Sequence, residues 1–142
     1  MAIRLEGKDI VDLWETIKFA CDQADDIGDN KQEYFNGLLC DLLCKKAQCF
    51  VRIDSERKLE TIIITRIMID NVRNEKVLLV QCLYSWTVKN MSKWKEDIDF
   101  VRNFAVREKC SYIRAVTRSS RSEELAKSLG MDEVTRIYGV RV

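Results

Sequence analysis

The sequence predicts a single α/β (α+β) domain over residues 1–142, with a mixed central sheet preceded by two helices. Three observations predict it. Apolar residues recur at three and four positions in four segments, and in five others they alternate or run together. These segments follow one another as two helices, an antiparallel run of three strands, a helix, a strand, a short helix and a final strand. With 46% apolar residues, a chain of 142 has enough hydrophobic surface for one sizeable core.

Taken in order, Ile10, Leu13, Trp14, Ile17, Cys21 and Ala24 form the apolar stripe of a helix from about Lys8 to Gly28, where glycine stops it. Phe35, Leu38, Leu39, Leu42 and Leu43 form the stripe of a second helix, with Cys40 and Cys44 flanking it at helical spacing. Cys49 to Asp54 alternates, and Ser55 to Lys58 turns it into Leu59 to Asp70, rich in Ile and Thr, so the pair reads as a hairpin. After the polar connection 71–76, Val77 to Tyr84 is nearly continuously apolar, as a strand covered on both faces must be. Trp94, Ile98, Val101, Phe104 and Ala105 define a helix over Ser92 to Lys109, and Tyr112 to Val116 is the next strand. That strand–helix–strand unit requires parallel pairing. A short helix follows from Ser120 to Leu129, with Ser120-x-x-Glu123 as a capping box and Gly130 as its stop. Glu133 to Val142 alternates enough to be the final strand.

Composition narrows the function classes. Lys and Arg number 24 against 23 Asp and Glu, interspersed along the chain, so no dedicated nucleic-acid surface and no membrane partner are expected. Met1 to Asp12 contains no apolar signal core, and the apolar run Val77–Val80 is too short to cross a bilayer, so a cytoplasmic location is expected. Six cysteines without a signal peptide imply reduced thiols, and no zinc-type spacing is present, so no metal is expected. The absence of histidine removes Ser/His/Asp and Cys/His triads and leaves proton transfer to carboxylates, Tyr, Lys, Cys or water.

The element order, together with Leu125-Ala126-Lys127-Ser128-Leu129-Gly130-Met131, resembles the GNAT superfamily of acyl-CoA-dependent N-acyltransferases, whose members carry Leu-Tyr-x-x-Leu-Gly-Phe at this point. The resemblance implies acetyl-CoA or another acyl-CoA as cofactor and an amine as acceptor. It also implies a central strand splayed from its neighbour, and a pyrophosphate seated on amides at the start of the next helix. The corresponding positions are Leu83 and Ser85 at the strand end, then Lys89, Asn90, Ser92 and Lys93, with Asn90 or Ser92 as the N-cap. Two features depart from the family. Residues Thr87 to Lys93 contain no glycine, where family members carry Gln/Arg-x-x-Gly-x-Gly/Ala, and Ala126 stands where the family often has the tyrosine that protonates the departing thiolate. Tyr84 and Tyr138 are candidates to replace that tyrosine. A basic cluster, Arg114, Arg118 and Arg121, precedes the last helix without an assigned role. The departures leave a second class open: a non-catalytic scaffold for a protein partner, such as a self-assembling or phage-associated accessory protein.

Overall fold

The structure, a computed structural model, describes residues 2–142. Its elements are β1 (Ala2–Leu5), α1 (Lys8–Asp12), α2 (Trp14–Ala24), α3 (Lys31–Leu43), β2 (Ala47–Ile53), β3 (Leu59–Asp70), β4 (Glu75–Ser85), α4 (Met91–Arg107), β5 (Tyr112–Ala115) and α5 (Ser120–Ser128). The strands form a single sheet in the order β1-β2-β3-β4-β5, antiparallel throughout except for the parallel β4–β5 pair. A parallel pair cannot be closed by a hairpin, and α4 supplies the crossover.

The sheet is covered on both faces. Ile10, Ile17, Leu38 and Leu42 from the first three helices pack with Cys49, Val51, Ile62, Ile64 and Cys82 of the sheet. On the opposite face, Val101, Phe104 and Ala105 of α4 pack with Phe50, Ile63, Leu78 and Val80. Two-sided burial explains why the middle of β3 reads as an unbroken apolar run rather than an alternation.

Three differences from the sequence-based expectation have physical causes. The short segment Ile3–Leu5, too brief to show a period, pairs with Cys49–Val51 as an edge strand. The first helix is interrupted at Leu13, whose backbone (φ −101, ψ 12) leaves the helical range while its N–H still donates to the Asp9 carbonyl at 3.1 Å. The expected final strand over Glu133–Val142 is not formed: this segment carries no strand pairing, and Val134, Ile137, Tyr138, Val140 and Val142 are all exposed. Ile137 falls out of phase with the other apolar positions and Gly139 interrupts the run, both of which weaken a strand. Gly130 does what a helix stop requires, adopting φ 79 while Met131 N–H returns to the Ala126 carbonyl at 3.0 Å.

Candidate active site

The site begins with one polar residue in the middle of an apolar strand. Across β3–β4, Ile64 pairs with Cys82 and Thr65 with Val80, so Gln81 is an extra residue on β4, a β-bulge. The bulge reverses the strand's facing: Leu78 and Val80 lie against α4, whereas Cys82 and Tyr84 lie against the first three helices. A bulge also bends the strand that carries it, and the β4–β5 pairing ends at this point, with Val80 opposite Ala115. From Gln81 to Ser85 the strand continues against β3 alone. Its β5-facing backbone edge therefore has no strand partner among the described residues.

Gln81 is held from both sides. Its amide donates to the Tyr34 hydroxyl at 2.9 Å, and its carbonyl accepts from Arg66 at 3.4 Å, while Arg66 also binds Asp41 at 2.5 Å. This chain ties α3 to the bulge. Burial raises the Tyr34 hydroxyl to about 12, so it stays protonated through the neutral range.

The loop from Trp86 to Asn90 carries the chain from the open edge to α4. Trp86 N–H donates to the Glu60 carbonyl at 3.0 Å and Thr87 N–H to Ser85 Oγ at 3.3 Å, fixing the loop's start. The amides of residues 88–92 have no hydrogen-bond partner among the described residues. Asn90 caps α4, its side chain accepting from Lys93 N–H at 3.0 Å. Free amides at the positive end of a 17-residue helix suit an anionic group, and they are present here without a glycine.

The expected residues are distributed unevenly around this opening. Ser85 is committed to local contacts, its single hydroxyl proton within reach of the carbonyls of Thr87 at 2.9 Å and Glu60 at 3.1 Å. Leu83 packs toward α4. Ser92 is exposed on the first turn, and Lys93 is half-exposed with Glu60 at 3.8 Å. Lys89 does not face the opening as an expected phosphate ligand would. Its side chain is fully buried and bonded to the carboxylate of Asp97, itself 2% exposed, with the Trp94 ring 5.0 Å from the ammonium. Arg52 Nε meets the other oxygen of Asp97 at 2.5 Å. The Lys89 charge thus holds the loop onto α4.

Tyr84 sits near the end of β4 with Phe19 and Trp86 edge-on at 6.0 and 5.0 Å, and its hydroxyl has no partner among the described residues. Tyr138 lies in the C-terminal segment, 86% exposed and bonded only to Arg136. The basic cluster is dispersed: Arg114 pairs with Asp70 at 3.0 Å and Glu75 at 3.4 Å, and the backbone N–H of Arg118 donates to Asp25 at 3.2 Å. A polar basin of about 330 Å³ lies beside the start of α4, lined by Arg52, Asp54, Ser55, Glu60, Lys93 and Glu96. Among the described residues no cluster of three or more Cys, Asp or Glu is placed to hold a metal, and no helix is long and apolar enough to cross a membrane.

Reading the sequence missed Gln81, Asp97, Arg52 and Tyr34. Two of them had a visible signal: Gln81 interrupts the apolar run 77–84, and Asp97 sits three residues after Trp94 and four before Val101, in the stripe that faces the sheet.

No protein-family model and no curated protein matches the sequence. Solved structures do match over the whole chain. An aminoglycoside 6′-N-acetyltransferase from Acinetobacter haemolyticus is 12% identical with a TM-score of 0.76, covering 100% of this chain and 97% of its own. A ribosomal-protein-alanine N-acetyltransferase from Brucella melitensis is 14% identical with a TM-score of 0.72, covering 100% and 99%. The fold is that of the GNAT acetyltransferases. A further aminoglycoside acetyltransferase with this fold, 13% identical with a TM-score of 0.74 and covering 100% and 97%, was solved with a bisubstrate analogue joining CoA to an acetylated aminoglycoside.

Proposed function

We propose that this chain binds an acyl-CoA at the unpaired edge of β4, beyond its pairing with β5, and transfers its acyl group to an amine. The observation that carries this reading is the end of β4–β5 pairing at the Gln81 bulge, which leaves the backbone edge of Gln81 to Ser85 unpaired, followed by free amides at the start of α4. The open edge of Gln81 to Ser85 is suited to hold a thioester by main-chain hydrogen bonds, and the amides of residues 88–92 to hold its diphosphate, with Lys93 adding positive charge. When bound, acyl-CoA supplies the activated thioester. The chain's contribution is to align that group with an acceptor amine and to polarise it with fixed backbone dipoles, which together supply large rate factors without a nucleophilic side chain. Tyr84, near the end of β4 and with its hydroxyl unused, is the better-placed proton donor of the two tyrosines.

A second reading is favoured by Lys89 and Ala126: one cation is withdrawn from the anion site and one proton donor is missing, as in a scaffold that has lost turnover. Calorimetric titration with acetyl-CoA, with dephospho-CoA and ATP as controls, separates the two. Saturable binding that prefers acetyl-CoA is expected, together with a rise in melting temperature, since ligand at a hundred times its Kd stabilises by about 2.7 kcal/mol. Neither heat nor a thermal shift at millimolar acetyl-CoA would overturn the transferase reading and leave the scaffold.

A further inference from the structure

Four of the six cysteines pack in or against the core, but the remaining pair shares an arrangement that the fold does not need. Cys21, Cys49 and Cys82 are buried together in the core beneath the first three helices. Cys40 and Cys44 are different: both are exposed, and they lie one turn apart, Cys40 in the last turn of α3 and Cys44 at its C-cap. The turn between them is closed, with Cys44 N–H donating to the Cys40 carbonyl at 2.9 Å. The thiols are close enough to hydrogen-bond to each other, and that contact, with Asp41 nearby, raises the Cys40 thiol above its ordinary value against the opposing charge of Lys46.

This spacing decides the chemistry. Residues four apart on a helix have Cβ atoms about 5–6 Å apart, whereas a disulfide needs Cβ atoms about 3.5–4.5 Å apart. The pair would have to bend α3 to join directly. The helix resists bending here, because Leu38 and Leu42 are buried on its inner side and Asp41 is fastened to Arg66 at 2.5 Å. A large atom placed between the two sulfurs makes up the difference without moving the backbone.

We propose that Cys40 and Cys44 form a chelating dithiol that takes one soft, thiophilic centre, a trivalent arsenical or a Cu(I)-like ion, which accepts two thiolates. With an arsenical oxide, two S–H bonds and the As=O bond are exchanged for two As–S bonds and one water, with no change of oxidation state. With Cu(I), two protons are released and a bis-thiolate complex forms. The site is separate from the unpaired edge of β4.

The reduced full-length chain is titrated with phenylarsine oxide and followed by native mass spectrometry and by counting reactive thiols. The expected result is one adduct per chain, formed with loss of one water and of two reactive thiols. Chelation raises affinity by a factor of about a hundred or more over a single thiol, so Cys40→Ser and Cys44→Ser should each lose that factor, and Cys110→Ser should lose nothing. A second arm offers Cu(I) against a competing chelator: uptake assigns the site to soft metal ions as well, and uptake of the arsenical alone assigns it to trivalent metalloids. Adducts of undiminished affinity in Cys40→Ser and Cys44→Ser would overturn the proposal, as would rapid formation of a Cys40–Cys44 disulfide in the folded chain under mild oxidation.

Discussion

Replacing Asp97 by alanine tests the arrangement that fixes the loop before α4. Asp97 is 2% exposed and joins two cations, Lys89 with a fully buried side chain and Arg52 at 2.5 Å. Removing the carboxylate leaves the Lys89 ammonium with only the Trp94 ring, whereas Arg52 still has Glu96 at 3.9 Å. Breaking a buried ion pair from one side costs about 3–5 kcal/mol, and the loss should fall mainly on Lys89. That is a third or more of the stability of many domains, and should lower the melting temperature by roughly 10–20 °C. Lys89→Met keeps the stem of the side chain and leaves Asp97 bonded to Arg52, so a smaller loss of about 1–2 kcal/mol is expected. The double variant should be more stable than the sum of the two losses predicts, by about 1 kcal/mol or more, because its buried cation is gone. Urea unfolding of the four proteins measures the cycle. An Asp97→Ala variant within about 1 kcal/mol of the parent, or strictly additive losses, would refute the view that this triad anchors the loop.

Two further outcomes follow from the same structure. Tyr84→Phe keeps the ring contacts with Phe19 and Trp86 but removes the hydroxyl; acyl transfer should fall about a hundredfold or more in kcat with little change in KM, and an unchanged kcat would exclude Tyr84 as the proton donor. Stability should fall as the solution is made alkaline: burial pushes the Cys49 thiol from 9.0 to about 12, and the Tyr34 hydroxyl is raised from 10.0 to about 12. Both groups favour the protonated form when folded, so their contribution is complete below the unfolded values and lost as pH rises toward the folded ones. Cys49 alone contributes a slope of about 1.4 kcal/mol per pH unit above pH 9. Urea midpoints that stay level from pH 8 to about 11 would contradict that burial.

How far the fold was legible depended on the strength of the period in each segment. Val77 to Tyr84 announced a central strand because only a strand covered on both faces sustains such a run, and α4 announced itself through Trp94, Val101 and Phe104. Ala2–Leu5 was invisible because four residues are too few to establish alternation. Glu133 to Val142 shows the converse: its apolar residues look like a strand, yet pairing depends on register and on an available edge, neither of which is local information. The candidate site was legible at its ends and hidden in its middle. The cap could be narrowed to Asn90 or Ser92 from their place before a helical stripe, and the structure puts the bond at Asn90. Lys89 could not, since a lysine beside a helix start reads as solvated until its partner Asp97, eight residues on, is seen to be buried.

The two features that shape the opening are both polar residues set into otherwise apolar positions. Gln81 adds a residue to β4 and turns its faces over at the point where pairing with β5 ends. Asp97 takes a sheet-facing position on α4 and draws Lys89 inward, which fixes the loop that leaves the open edge. A glycine-rich loop achieves close approach by omitting side chains; this loop instead has its one lysine drawn away from the opening and its amides at 88–92 left free. The absence of glycine therefore does not by itself remove an anion site, because what such a site requires is unpaired amides and room beside them. Local departures from the apolar pattern are where a sequence gives up some stability for shape. In this chain one departure sits in the strand whose edge is left unpaired and the other in the helix that follows it, so both shape the segment from Gln81 to the start of α4.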